Sequence, residues 1–132
     1  MINNIEQVNA LTSQIIEAAI KVHNELGPGL FESVYEEVLA YELIKRNLVI
    51  DRQKTIPVFY EQIKMEVGFR ADLIVGSSVL VEIKSIDCIA PVHKKQVLTY
   101  LRLTGLKIGL LLNFNEELLK NGITRLINNH AK

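Results

Sequence analysis

The most chemically suggestive neighbours in the sequence are Asp72 and the run Val81-Glu82-Ile83-Lys84-Ser85. In a β-strand, residues two apart face the same way. Glu82 and Lys84 would then share one face, with Val81 and Ile83 turned to the opposite layer. Asp72 sits in the preceding segment, "RADLIV", and Gly76-Ser77-Ser78 connects the two. A three-residue loop sets Val75 opposite Val79 and Asp72 opposite Glu82. A two-residue Gly76-Ser77 turn, for which glycine first is favourable, sets the acids on opposite faces unless a bulge intervenes. Two carboxylates on one face repel unless a proton or cation neutralises them. Magnesium suits such a pair, because it takes one or two carboxylates, keeps waters and adds substrate phosphate oxygens. It polarises a phosphoryl oxygen and helps generate hydroxide. Lys84 can orient the attacking water or stabilise developing charge. This chemistry fits phosphodiester hydrolysis better than acyl transfer, since no serine, histidine and acid grouping has a recognisable elbow. Taken alone, a solvated strand face with a salt bridge is the simpler reading.

These residues need elements to hold them. Apolar residues from Ile5 through Val8, Leu11, Ile15, Ala18, Ala19 and Val22 to Leu26 recur at helical spacing, and Gly27-Pro28 stops that helix. A second helix is expected from about Phe31 to Arg46, burying Phe31, Val34, Val38, Leu39 and Leu43. From about Leu48 the pattern turns to β. "TIPVFYE" and "KMEVGFRADLIV" read as strands joined at Glu61-Gln62, and "SVLVEIKS" as a third. Pro57 puts the first at an edge or at a non-bonded position. A helix over 92–103 follows Pro91. "LKIGLLLNF" reads as a central buried strand. A helical turn at 116–120 and a last strand "ITRLIN" end the chain. The sum is an α/β fold, with a mixed central sheet of a three-strand meander plus a further strand, flanked by helices.

The 132 residues suit one domain, 1–132, and 48% hydrophobic content is enough for a core. No apolar run is long enough for a membrane span, and the first ten residues do not read as a signal peptide. With a single cysteine, Cys88, the expected location is cytoplasmic. Fifteen basic and fifteen acidic residues give zero net charge, which argues against strong nonspecific nucleic-acid binding. Glu32, in a first helical turn, is an acid that the helix dipole favours. His23 near a helix end reads as structural. His93, Lys94 and Lys95 open a helix and can hold a phosphate or simply be solvated.

"RADLIVGSSVLVEIKS" resembles the PD-(D/E)XK nuclease superfamily, whose core motif is an acid followed by acid-x-Lys on the next strand. Ala71 stands where the superfamily name implies proline. "GLFESVY", with Gly29, Glu32 and Tyr35, resembles the signature of the small bacterial GxxExxY protein family within that superfamily. "QVLTY", Gln96 to Tyr100, resembles the Q-x-x-x-Y helix of its exonuclease-type branch. Together the likeness covers about residues 10 to 128. It implies a restriction-endonuclease-like core, with Asp72 and Glu82 as metal ligands, the Ile83 carbonyl as a third and Lys84 as catalytic lysine. Glu32 would be an extra acid, acting on the metal directly or through water. Gln96 and Tyr100, four apart on one helical face, would line the site. The implied activity is magnesium-dependent hydrolysis of nucleic acid, with manganese as a substitute and DNA favoured over RNA. The alternative is a catalytically silent module acting through a partner. With no separate DNA-reading element, substrate engagement is expected to need another protein or a homodimer.

Overall fold

The computed structural model describes residues 5–129; residues 1–4 and 130–132, the ends of the expected domain, lie outside the described residues. Helix α1 (Ile5–Leu26) buries Val8, Leu11, Ile15, Ala18, Ala19 and Val22 along one face, while Ile5 and Leu26 at its ends stay exposed. Gly27 ends it with φ of 70°, its amide donating to the His23 carbonyl at 2.8 Å. A left-handed residue is what a helix end of this type needs, and glycine adopts it without a Cβ penalty.

Helix α2 (Glu32–Lys45) corrects the expected stripe. Phe31 and Val34 are exposed, and the buried face is Tyr35, Glu36, Leu39, Ala40, Glu42 and Leu43. The Tyr35 ring sets this rotation. It is fully buried and stacks on Phe114 with centroids 4.5 Å apart. The buried acids are partnered: Arg52 and Gln53 donate to Glu36, and Lys21 donates to Glu42. An apolar count cannot see a helix face that buries ion-paired acids.

The five-stranded sheet runs in chain order: β1 (Ile50–Tyr60), β2 (Ile63–Val75), β3 (Val79–Lys84), β4 (Ile108–Asn113), β5 (Ile123–Ile127). β3 and β4 are parallel and joined through helix α3 (Pro91–Thr104); the other neighbours are antiparallel. β1 is an edge strand, as Pro57 implied, and β4 is buried at every position. β1 begins five residues before "TIPVFYE"; its charged start, Asp51 to Lys54, is partly or fully solvent-facing, as an edge permits. The expected helical turn at 116–120 is displaced to a short 3-10 segment, Leu119–Gly122.

Two cores sandwich the sheet. Leu73, Val75, Val79, Val81 and Ile83 pack under α1 and α2. Ile74, Leu80 and Leu111 pack against Val97 and Leu101 of α3. Gly109 lets α3 lie close to β4, since a Cβ there would stand 2.8 Å from Val97 Cγ1. Period-two alternation therefore places Asp72 and Glu82 on the α3 face, with Ile74 and Leu80.

Candidate active site

The β2–β3 turn is the three-residue form. Val75 pairs with Val79, and Gly76 and Ser77 both take positive φ, 59° and 54°. The register sets Asp72 opposite Glu82, but ladder pairing ends at Leu73–Val81. Beyond it the two strands part, and carboxylates take over the hydrogen bonds. The Asp72 amide donates to Glu82 Oε1 at 3.2 Å, and the Ile83 amide donates to Asp72 Oδ2 at 2.9 Å. Each acid thus occupies an amide left open by the divergence, which would otherwise be a costly unpaired donor.

Glu82 is 5% exposed. Burial pushes its carboxyl up to about 8, and the neighbouring Asp72 carboxylate adds to the push. Lys84, half-buried two residues further on, pulls the other way and is the weakest of these influences. Glu82 therefore keeps its proton to a higher pH than an ordinary carboxyl. Burial first, then Glu82 and Asp72, also hold the Tyr100 phenol above its usual range, so α3 brings Tyr100 within electrostatic reach of the pair. Its ring stacks on Phe69 with centroids 3.8 Å apart. Gln96 is exposed one helical turn earlier.

Glu32 meets the chain just past the C-terminal end of β3, beyond Lys84. Its Oε2 accepts the Ser85 amide at 3.1 Å, and Ser85 Oγ donates to the Leu30 carbonyl at 2.7 Å. Tyr35 is an anchor: its hydroxyl donates to the Gly27 carbonyl at 2.5 Å and accepts the Leu30 amide at 3.1 Å. His23 is structural, its Nε2 2.7 Å from the Glu116 carbonyl. His93 Nδ1 accepts the Ala90 amide at 2.9 Å, closing the start of α3.

Three residues that brace the site escaped the sequence reading. Gln53 Nε2 donates to Glu36 Oε1 at 2.6 Å and to Asp72 Oδ1 at 3.2 Å, bridging the buried acid of α2 to the site. Its backbone has φ of 49°, which residues other than glycine seldom adopt. Glu36, one turn after Glu32, was the available signal for that bridge. The third is Asn113: fully buried, it accepts the Ile86 amide and donates to the Ile86 carbonyl, fixing the chain just past Lys84.

The donor set of the pair is hard oxygen, which suits a divalent ion such as magnesium. Burial and the Asp72 carboxylate both disfavour a charged Glu82, and a cation held between the acids would offset both. Among the described residues, no three histidine, cysteine or acidic side chains converge to hold a metal by themselves.

A mixed sheet covered by helices on both faces, with paired acids and a lysine where two strands part, defines a restriction-endonuclease-like fold. The chain belongs to the PD-(D/E)XK nuclease superfamily, whose family model matches residues 9–126. No curated protein and no solved structure matches the chain significantly. Among the described residues, no helix is long and apolar enough to cross a membrane.

Proposed function

We propose that this protein is a nuclease that hydrolyses phosphodiester bonds of nucleic acid, DNA in preference to RNA, with Asp72 and Glu82 at its centre. The observation that carries the reading is the crossed pair of carboxylate–amide bonds where β2 and β3 part, Asp72 amide to Glu82 and Ile83 amide to Asp72. Asp72, Glu82 and the Ile83 carbonyl would hold magnesium, or manganese in its place. When bound, the ion supplies Lewis acidity to a phosphoryl oxygen and lowers the pKa of a bound water. Lys84 extends from the Glu82 face of the strand and balances the negative charge that grows on the phosphoryl group. Tyr100 and Gln96 bound the site from α3 and orient substrate. Glu32 serves as the further acid, acting through water from beside Ser85, just past the Lys84 end of β3. With Gly29 and Tyr35, it supports a place within the GxxExxY group. The exposed, unpaired Cys88 suits a reducing cytoplasm.

The test is cleavage of single-stranded, duplex and branched DNA, and of RNA, with magnesium or manganese. Wild type cleaves, while Lys84→Ala and Asp72→Ala do not. No cleavage of any substrate by wild type overturns the reading. The alternative is a catalytically silent module that keeps the fold and acts through a partner, which the zero net charge and small size favour. Calorimetry separates the two, since a silent module that has lost its metal shows no heat with magnesium while remaining folded. A homodimer or protein partner would then supply the missing substrate contacts.

A further inference from the structure

Phe31 is 81% exposed, directly before Glu32. Neither local folding nor packing calls for an aromatic ring at this position. It occupies the N-cap of α2, where Ser, Thr, Asp or Asn would close the helix, and it makes no side-chain capping bond. Nor does it contribute to either core.

The backbone that carries it is nevertheless firmly held. Tyr35 bonds to both Gly27 and Leu30, and Ser85 bonds to both Leu30 and Glu32. Ser85 immediately follows Lys84, so the loop is tied to the strand that carries the site. At about 3.3 Å per strand residue, Ser85 is about 10 Å from Glu82. That is about the rise of three stacked nucleotides, so one strand of nucleic acid spans the distance from the pair to the residue that ties down the loop. A large apolar ring held open to solvent on a fixed loop loses little conformational freedom on binding, a good property for a stacking platform. Leu30 and Val34 are partly exposed beside it, giving the ring an apolar border rather than a charged one.

We propose that Phe31 stacks on an unpaired base of the substrate, and that the protein therefore prefers single-stranded or frayed nucleic acid to an intact duplex. This rests on the nuclease reading of the site. A ring face can stack on a base only when that base is free of its own stack, which is why unpaired strands are engaged this way with little regard to sequence.

The chain contains no tryptophan, so Phe31→Trp introduces a single reporter. Its emission is followed while a thymidine oligonucleotide, and separately a blunt duplex, is titrated in with calcium to suppress cleavage. The expected result is saturable quenching by the single strand and weaker binding of the duplex. By fluorescence anisotropy, Phe31→Ala and Phe31→Leu should each bind the single strand about 5- to 150-fold more weakly than wild type, the equivalent of one lost stack. Phe31→Leu keeps the apolar volume, so its loss isolates the aromatic face. Undiminished binding by both variants, an unmoved tryptophan emission, or tighter binding to the duplex overturns the proposal and leaves the nuclease reading standing. No binding of any nucleic acid by wild type overturns both.

Discussion

Glu82→Gln should abolish the pH dependence of stability that the acid pair imposes. In the folded protein the Glu82 carboxyl is pushed from 4.5 up to about 8, first by burial and then by Asp72. The folded state therefore holds its proton more tightly than the unfolded chain does. That stabilisation is fully present below the unfolded pKa, declines as pH rises, and is gone above the folded pKa. Each unit of difference corresponds to about 1.36 kcal/mol, so the loss amounts to about 3–5 kcal/mol. Against the total stability of a domain, about 5–15 kcal/mol, this is a large share.

Glutamine copies the protonated acid. Its carbonyl can accept the Asp72 amide while its NH2 faces the Asp72 carboxylate. Urea or thermal unfolding of both proteins in a chelator, from about pH 5 to about pH 9, gives the comparison. The two should be nearly equal at the acid end. The variant should be more stable at the alkaline end by about 3–5 kcal/mol, a shift of roughly 10 °C or more in Tm. Magnesium should restore wild type at alkaline pH, because ligand that binds only the folded state stabilises it. The variant should gain much less. Parallel pH profiles for the two proteins, or a variant that is weaker at alkaline pH, would refute the account of a buried, charge-crowded pair.

Lys84→Ala should fold normally and bind magnesium within a few-fold of wild type, yet lose cleavage by at least about 100-fold, as gel assays would show. Tyr35→Phe should cost about 1–2 kcal/mol in chemical denaturation, because both the Gly27 carbonyl and the Leu30 amide lose their partner. An unchanged midpoint would remove the anchor role. Gly109→Ala should destabilise by about 1–3 kcal/mol, since its Cβ would press on Val97 of α3; a neutral result would mean that α3 moves away freely.

The geometry of the candidate site was legible where chemistry and alternation coincide. Glu82 and Lys84 declare a shared face by being two apart, and the three-residue turn then fixes Asp72 opposite Glu82. The choice between that turn and a tighter one was not legible, because Gly76 is favourable in both and only the left-handed Ser77 decides. The helix α2 stripe misled for a related reason. Phe31 and Val34 have the right spacing, but Tyr35 brings a ring and a hydroxyl that satisfies two backbone groups, and the helix turns to bury it. Glu36 then faces inward, which is tolerable because Arg52 and Gln53 on the edge strand meet it. Those partners sit in a charged stretch that reads as solvent-facing, and their pairing depends on strands distant in sequence. The same rotation leaves Phe31 outside. The exposed ring and the buried tyrosine are thus two results of one packing choice: Tyr35 fixes the loop, and a fixed loop is what allows an unburied ring to serve as a binding surface.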